Sequence, residues 1–129
     1  MKLGRWSTGI AVAVTLLGSL GAARAADVRH LALVKSAPAA DERVQAVAEV
    51  RLWFNQVPQD KATSIRVLDA AGAAVALGDV APDASDAKVQ VAKVPASLAA
   101  GTYTVAWRTM SPDGHVVRDQ FDFTVAPAR

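Results

Sequence analysis

The two histidines of this sequence, His30 and His115, are its clearest candidates for chemistry. Asp113 stands two residues before His115, with Gly114 between them. At the junction of a strand and a loop, this Asp-x-His spacing lets a carboxylate and an imidazole converge on one metal ion, and Gly114 permits the tight backbone. An Asp-Gly turn also occurs for purely conformational reasons. Asp113 and His115 are therefore candidate ligands on spacing alone.

Other kinds of site lack support in the residue types. The 129 residues include no cysteine, which excludes disulfides, thiolate zinc sites, iron–sulfur clusters and a cysteine nucleophile. The sequence has no glycine-rich phosphate loop and no paired-carboxylate signature. Ser111 lies close to His115, but no oxyanion signature accompanies it. We therefore expect a protein that is not an enzyme.

Residues 1–25 have the order of a secretory signal peptide. Two basic residues lie at the head, an apolar run follows over residues 10–17, and Ala23-Arg24-Ala25 provides a cleavage site. An uncleaved membrane anchor is the alternative, but the apolar run is shorter than the ~20 residues that a span needs. We therefore expect cleavage after Ala25, export to the periplasm, and one domain over residues 26–129.

The charge of the expected mature chain argues against a nucleic-acid partner. Removal of Lys2, Arg5 and Arg24 from the 14 basic residues leaves 11 against 12 acidic ones, a formal charge of −1. The remaining basic residues are scattered among the acids and form no stripe. With 52% hydrophobic and 20% charged residues, the chain fits one small folded domain. We expect it to act as a monomer.

Alternation of apolar and polar residues predicts short strands throughout the mature chain. Five segments show it clearly and two more weakly: 50–54, 64–68, 88–92, 102–107 and 120–125, then 31–35 and 73–77. Clusters of Pro, Gly and Asp separate them, and no segment has a sustained helical period, although residues 95–100 could form one turn. About seven strands in about 100 residues predict an all-β, immunoglobulin-like Greek-key sandwich.

Three aromatic residues are assigned structural roles. Tyr103 follows Gly101 at the start of a late strand, where a tyrosine often hydrogen-bonds back across a sandwich corner. Trp53 and Trp107 occupy strand positions, and we expect them to pack in the core or on a sheet face rather than to stack on a ligand.

Four separated stretches resemble the periplasmic copper-resistance proteins of the CopC family. They are HLALVKSAPA at residues 30–39, VRLWF at 50–54, LAAGTYTVAW at 98–107, and Ser111-x-Asp113-x-His115 followed by Phe121-x-Phe123-x-Val125. The resemblance implies a small β-sandwich that binds Cu(II) through His30, Asp113 and His115. It also implies a copper carrier or buffer that delivers the ion to an inner-membrane transporter of the CopD type. Cu(II) prefers imidazole nitrogen with oxygen, in agreement with these ligands.

The sequence departs from the family pattern in three places. The family's histidine is usually the first mature residue, whereas Ala26-Asp27-Val28-Arg29 precedes His30. Cleavage before His30 would place Asp27 and Arg29 where signal peptidase prefers small residues, so we expect no histidine amine and weaker Cu(II) binding. The methionine-rich Cu(I) segment of some members is missing, since Met110 alone remains after removal of Met1. Asn55-Gln56 replaces the more usual Ser-Glu, a change to which the sequence assigns no consequence.

Several alternative functions stay open at the level of sequence. A histidine brace on a β-sandwich also serves copper-dependent oxidation, and two histidines with one carboxylate could form a facial triad for non-haem iron. Zinc and nickel fit the same ligand types. An immunoglobulin-like interaction module without metal is the remaining alternative.

Overall fold

The protein is a two-sheet β-sandwich in a computed structural model that describes residues 30–128. Its strands, in chain order, are β1 (Leu33–Ala37), β2 (Arg43–Val44), β3 (Glu49–Phe54), β4 (Ser64–Leu68), β5 (Ala74–Val75), β6 (Ala81–Asp83), β7 (Asp86–Lys93), β8 (Gly101–Met110) and β9 (Val116–Val125). The predicted signal peptide lies outside the described residues. Within residues 30–128, no helix is long and apolar enough to cross a membrane.

The nine strands form one four-stranded and one five-stranded sheet. The first has the order β1-β3-β7-β6 and the second the order β2-β9-β8-β4-β5. All neighbouring strands are antiparallel except β2, which pairs with β9 in parallel. The predicted all-β, immunoglobulin-like sandwich is confirmed.

The five clearly alternating segments all lie within observed strands, while the short strands depart from expectation. The weak segment 73–77 contracts to the two residues of β5, and 31–35 moves to 33–37. The sequence analysis missed β2 and β6, which have two and three residues and are too short to show a period. β6 lies in a Pro- and Asp-containing segment where we expected a turn. It forms a strand because it pairs with β7. No helical turn forms at 95–100.

The core lies between the two sheets and follows the alternation. In β3, Val50, Leu52 and Phe54 are buried, and the residues between them are partly exposed. The Phe54 ring meets the Trp107 ring edge-on at a centroid distance of 5.3 Å, which packs the carboxyl end of β3 against β8. Burial of such aromatic and branched side chains supplies the main driving force for folding.

Tyr103 and Trp53 both have the structural roles expected for them. The Tyr103 hydroxyl donates to the carbonyl oxygen of Ala99 at 2.7 Å, which closes the corner before β8. Trp53 lies on the outer sheet face, with the Lys35 ammonium 4.6 Å and the Arg51 guanidinium 5.8 Å from its ring centroid. The predicted tyrosine corner and sheet-face packing are confirmed.

One end of the sandwich contains both histidines and is called the histidine end here. It consists of residues 30–32 before β1, residues 55–63 between β3 and β4, and residues 111–115 between β8 and β9. Three observations place them together: Leu33 pairs with Phe54, Phe54 contacts Trp107, and the Gln59 amide donates to the Met110 carbonyl oxygen at 2.9 Å.

Candidate metal centre

The tight loop between β8 and β9 carries two of the three predicted ligands. The amide of Ser111 donates to the His115 carbonyl oxygen at 2.8 Å, and the amide of Gly114 donates to the Ser111 carbonyl oxygen at 2.9 Å. Gly114 has φ +91°, a conformation that a residue with a β-carbon adopts only with strain. The loop therefore turns sharply enough to bring Asp113 and His115 to one side.

Ser111 is the centre of the loop's hydrogen bonds. It is 5% exposed, and its hydroxyl hydrogen-bonds to Oδ1 of Asp113. The hydroxyl oxygen of Ser111 also accepts from the backbone amide of His115 at 3.1 Å. A buried hydroxyl with partners on both residues restricts the carboxylate and the backbone of His115 together.

Asp113 and His115 form a pair at the surface of the loop. Nδ1 of His115 lies 2.9 Å from Oδ2 of Asp113, and the two side chains are 76% and 57% exposed respectively. Hydrogen bonds from Ser111, first, and from His115 lower the pKa of Asp113 to about 2. The carboxylate is therefore ionised at neutral pH. Because Nδ1 and Oδ2 are 2.9 Å apart, an ion between them can take one donor from each side chain once the ring proton is carried on Nε2.

His30 lies at the same end but is not joined to this pair. It is exposed and lies three residues before β1, and its carbonyl oxygen accepts from Nδ2 of Asn55 at 3.0 Å. Among residues 30–128, no group of three or more His, Cys, Asp or Glu residues is arranged to hold a metal ion. The structure thus brings Asp113 and His115 together and leaves His30 apart from them.

The donor set fits Cu(II) chemistry on its atoms. An ionised carboxylate and an imidazole stand 2.9 Å apart, and a second imidazole is exposed at the same end. Cu(II) favours nitrogen and oxygen donors of this kind, whereas Cu(I) favours sulfur. The loop contributes no sulfur donor, because Met110 precedes it within β8.

Three residues of the histidine end escaped the sequence analysis. In the sequence, Ser111 is part of the Ser-x-Asp-x-His motif and Asn55 is a departure from the family pattern, but neither position indicates a hydrogen-bonding role. Gln59, which had no signal, donates from Nε2 to the Ser111 carbonyl oxygen at 3.1 Å. Asn55 and Gln59 act on backbone groups that are distant in sequence, so their pairing becomes evident only in the folded chain. Ser111 acts within its own loop.

Comparison with known proteins identifies the family. The sequence model of the CopC domain matches residues 33–126. The chain belongs to the CopC family. The match contains Asp113 and His115, whereas His30 precedes it by three residues. A comparison with curated proteins gives no match.

Solved structures of CopC domains are similar along most of the chain. CopC from Methylosinus trichosporium OB3b is 34% identical, covers 78% of this chain and 97% of its own, and superposes with a TM-score of 0.71. PcoC, a methionine-rich copper resistance protein from Escherichia coli, is 32% identical, with 76% and 100% coverage and a TM-score of 0.68. The selenomethionine form of PcoC is 32% identical, covers 74% of this chain and 99% of its own, and has a TM-score of 0.67.

Proposed function

We propose that this CopC domain is a periplasmic copper-binding protein that carries or buffers Cu(II) in copper resistance. The function is supported by family membership and by the similarity to a solved copper resistance protein. The observation that carries the proposal for this chain is the Asp113–His115 pair, fixed on its loop by the buried Ser111. An ionised carboxylate beside an imidazole supplies two of the donors that Cu(II) prefers.

His30 is the proposed third ligand. It lies at the same end of the sandwich and is exposed, so an ion can reach its ring. With Ala26 as the first mature residue, His30 contributes its ring, with its backbone nitrogen as a further donor, but no terminal amine. Water or the displaced N-terminus then completes the coordination, and we expect weaker Cu(II) binding than a complete chelate gives.

The exposure of the pair suits a carrier rather than an enzyme. With 76% of the His115 side chain and 57% of the Asp113 side chain exposed, an ion can reach the pair directly from solvent. Oxygen activation by a histidine brace needs the free amine of an N-terminal histidine, which cleavage after Ala25 does not provide. We therefore propose binding and transfer without catalysis.

Export and transfer complete the proposal. Residues 1–25 would direct the chain to the periplasm as a cleaved signal, and the monomeric domain 26–129 would pass copper to an inner-membrane transporter of the CopD type. The Asp113–His115 pair is at the surface, where another protein can reach a bound ion directly.

Intact mass and metal content of the exported protein test this proposal together. We expect the mass of residues 26–129 and one Cu(II) retained per chain after dialysis, in preference to Zn(II) and Ni(II). A mass that begins at His30 would restore the complete chelate. Failure to retain any transition metal would favour a plain interaction module, and turnover of a reductant with oxygen would favour an enzyme.

A further inference from the structure

The side chain of Asn55 joins the segment that carries His30 to the body of the sandwich. Its Nδ2 donates to the His30 carbonyl oxygen at 3.0 Å, and its Oδ1 accepts from the Ala32 amide at 2.8 Å. The backbone amide of Asn55 also donates to the Ala32 carbonyl oxygen at 3.1 Å. One residue therefore holds both neighbours of Leu31.

These bonds extend the pairing between β1 and β3 by side-chain mimicry. Leu33 pairs with Phe54, so Ala32 and Asn55 are the next positions along the two strands. A side-chain amide carries the same donor and acceptor as a peptide group. The Asn55 side chain thus replaces one further peptide group of β3, and the ladder continues to His30. Leu31, which is 3% exposed, packs into the core and fixes the segment between them.

The connection that begins at Asn55 also holds the other half of the site. Four residues later, the Gln59 amide donates to the Met110 carbonyl oxygen at 2.9 Å and its side chain donates to the Ser111 carbonyl oxygen at 3.1 Å. Residues 55–59 therefore contact both the His30 segment and the start of the 111–115 loop. This connection thereby links the segment that carries His30 to the loop that carries Asp113 and His115.

We infer that Asn55 is the positioning residue for His30. By holding the His30 carbonyl, it places the imidazole at the end of the sandwich where Asp113 and His115 lie. With the cleavage after Ala25 that we propose, the histidine has no terminal amine to anchor it on the metal. The inference rests on the proposed Cu(II) binding. It also gives the departure at residue 55 a role, because a serine hydroxyl is too short to bond both His30 and Ala32.

A double-mutant cycle between Asn55 and His30 tests the inference. Asn55→Ala removes both side-chain bonds but keeps the backbone bond to Ala32, so the fold should persist. We expect a Cu(II) affinity about three- to tenfold below wild type by competition titration, the size of one or two lost hydrogen bonds. In the His30→Ala background the same change should have no further effect. The electron paramagnetic resonance spectrum of Asn55→Ala should shift toward that of His30→Ala.

Two further variants separate positioning from folding. Oδ1 of Asp69, at the opposite end of the sandwich, accepts from the amides of Ala71 and Ala73, each at 2.9 Å. Asp69→Ala loses as many side-chain bonds, so it should lower Tm and leave the Cu(II) affinity unchanged. Asn55→Ser retains a polar side chain and should lower the affinity as Asn55→Ala does, which provides the test if the alanine variant fails to fold.

The outcomes distinguish this inference from the function on which it rests. Unchanged affinity in Asn55→Ala, in a protein whose affinity does fall with His30→Ala, would overturn the inference alone. An equal loss with and without His30 would also overturn it, because Asn55 would then act by another route. A wild-type protein that retains no Cu(II) would overturn the proposed function.

Discussion

Asp83 and Asp113 have the same lowered pKa but belong to different kinds of site. Hydrogen bonds from Ser85, first, and from Arg51 lower the pKa of Asp83 to about 2, and hydrogen bonds from Ser111 and His115 do the same for Asp113. The Asp83 side chain is 19% exposed and lies 2.6 Å from the Arg51 guanidinium. The Asp113 side chain is 57% exposed.

The difference lies in what the partner can do. A guanidinium is always charged and has no free lone pair with which to bind a metal. The Arg51–Asp83 pair can therefore only link strands β3 and β6. A neutral imidazole can carry its proton on one ring nitrogen and bind a metal ion through the other. The comparison shows that a lowered carboxylate pKa does not by itself identify a metal site. We propose Asp113 rather than Asp83 as a ligand because its partner is an imidazole and the pair is exposed.

The largest effect is expected from His115→Ala. Loss of a group that only hydrogen-bonds to a metal ligand costs about 10- to 100-fold in affinity, so loss of a ligand should cost at least about 100-fold. Cu(II) competition titration measures the change. Because the side chain is 76% exposed, Tm of the metal-free protein should remain at the wild-type value. A loss smaller than about threefold would place copper elsewhere.

The next largest effect comes from neutralising one carboxylate, and the two aspartates form a matched pair. Asp113→Asn keeps a weaker, uncharged oxygen donor at the same place, so it should lower the Cu(II) affinity less than loss of His115 does, by about 10- to 100-fold. Asp83→Asn makes the same chemical change and should leave the affinity unchanged while lowering Tm at pH 7. Folding lowers the Asp83 pKa from its usual 3.8 to about 2, so this stability difference should vanish as pH falls through that range. An equal loss of Cu(II) affinity in the two variants would show that Asp113 is no more important for copper binding than Asp83.

A smaller effect is expected from pH. Imidazole ligands must be deprotonated to bind, and free imidazole takes up its proton near pH 6.5. Asp113, with a pKa of about 2, stays ionised throughout the range from pH 7 to pH 5. Affinity should therefore fall by up to about tenfold per pH unit for each imidazole proton displaced, and His30→Ala should reduce that slope. An identical slope in the two proteins would exclude His30 as a ligand.

Tyr103→Phe should have no effect on copper. The variant loses the hydrogen bond to Ala99 at the corner before β8 and keeps the ring that stacks on Phe123 at 5.6 Å. We expect a loss of about 0.5–1.5 kcal/mol in the free energy of unfolding, measured by urea denaturation, with unchanged Cu(II) affinity. A change in affinity would show that the site depends on the stability of the whole sandwich.

The sequence predicted the parts of the fold whose alternation is long enough to show a period. The alternation of 50–54 and 120–125 corresponds to observed strands with buried and exposed faces, whereas β2 and β6 form only because a neighbouring strand pairs with them. The Tyr103 corner was predictable because it depends on a local turn.

The site was only partly predictable for a related reason. The Asp113–His115 contact follows from two-residue spacing in one loop, so the sequence indicates it. The bonds of Asn55 to His30 and of Gln59 to Ser111 join residues 25 and 52 positions apart. Such contacts depend on the register of β1 with β3 and on the packing of the sheets, which local pattern does not specify.

The most direct test of the account is electron paramagnetic resonance of the Cu(II)-loaded mature domain, wild type and His115→Ala, with pulsed detection of the coordinating nitrogens. Copper bound by His30, Asp113 and His115 should give two imidazole nitrogen couplings in the wild type and one in the variant. A spectrum that His115→Ala leaves unchanged would contradict the proposed site.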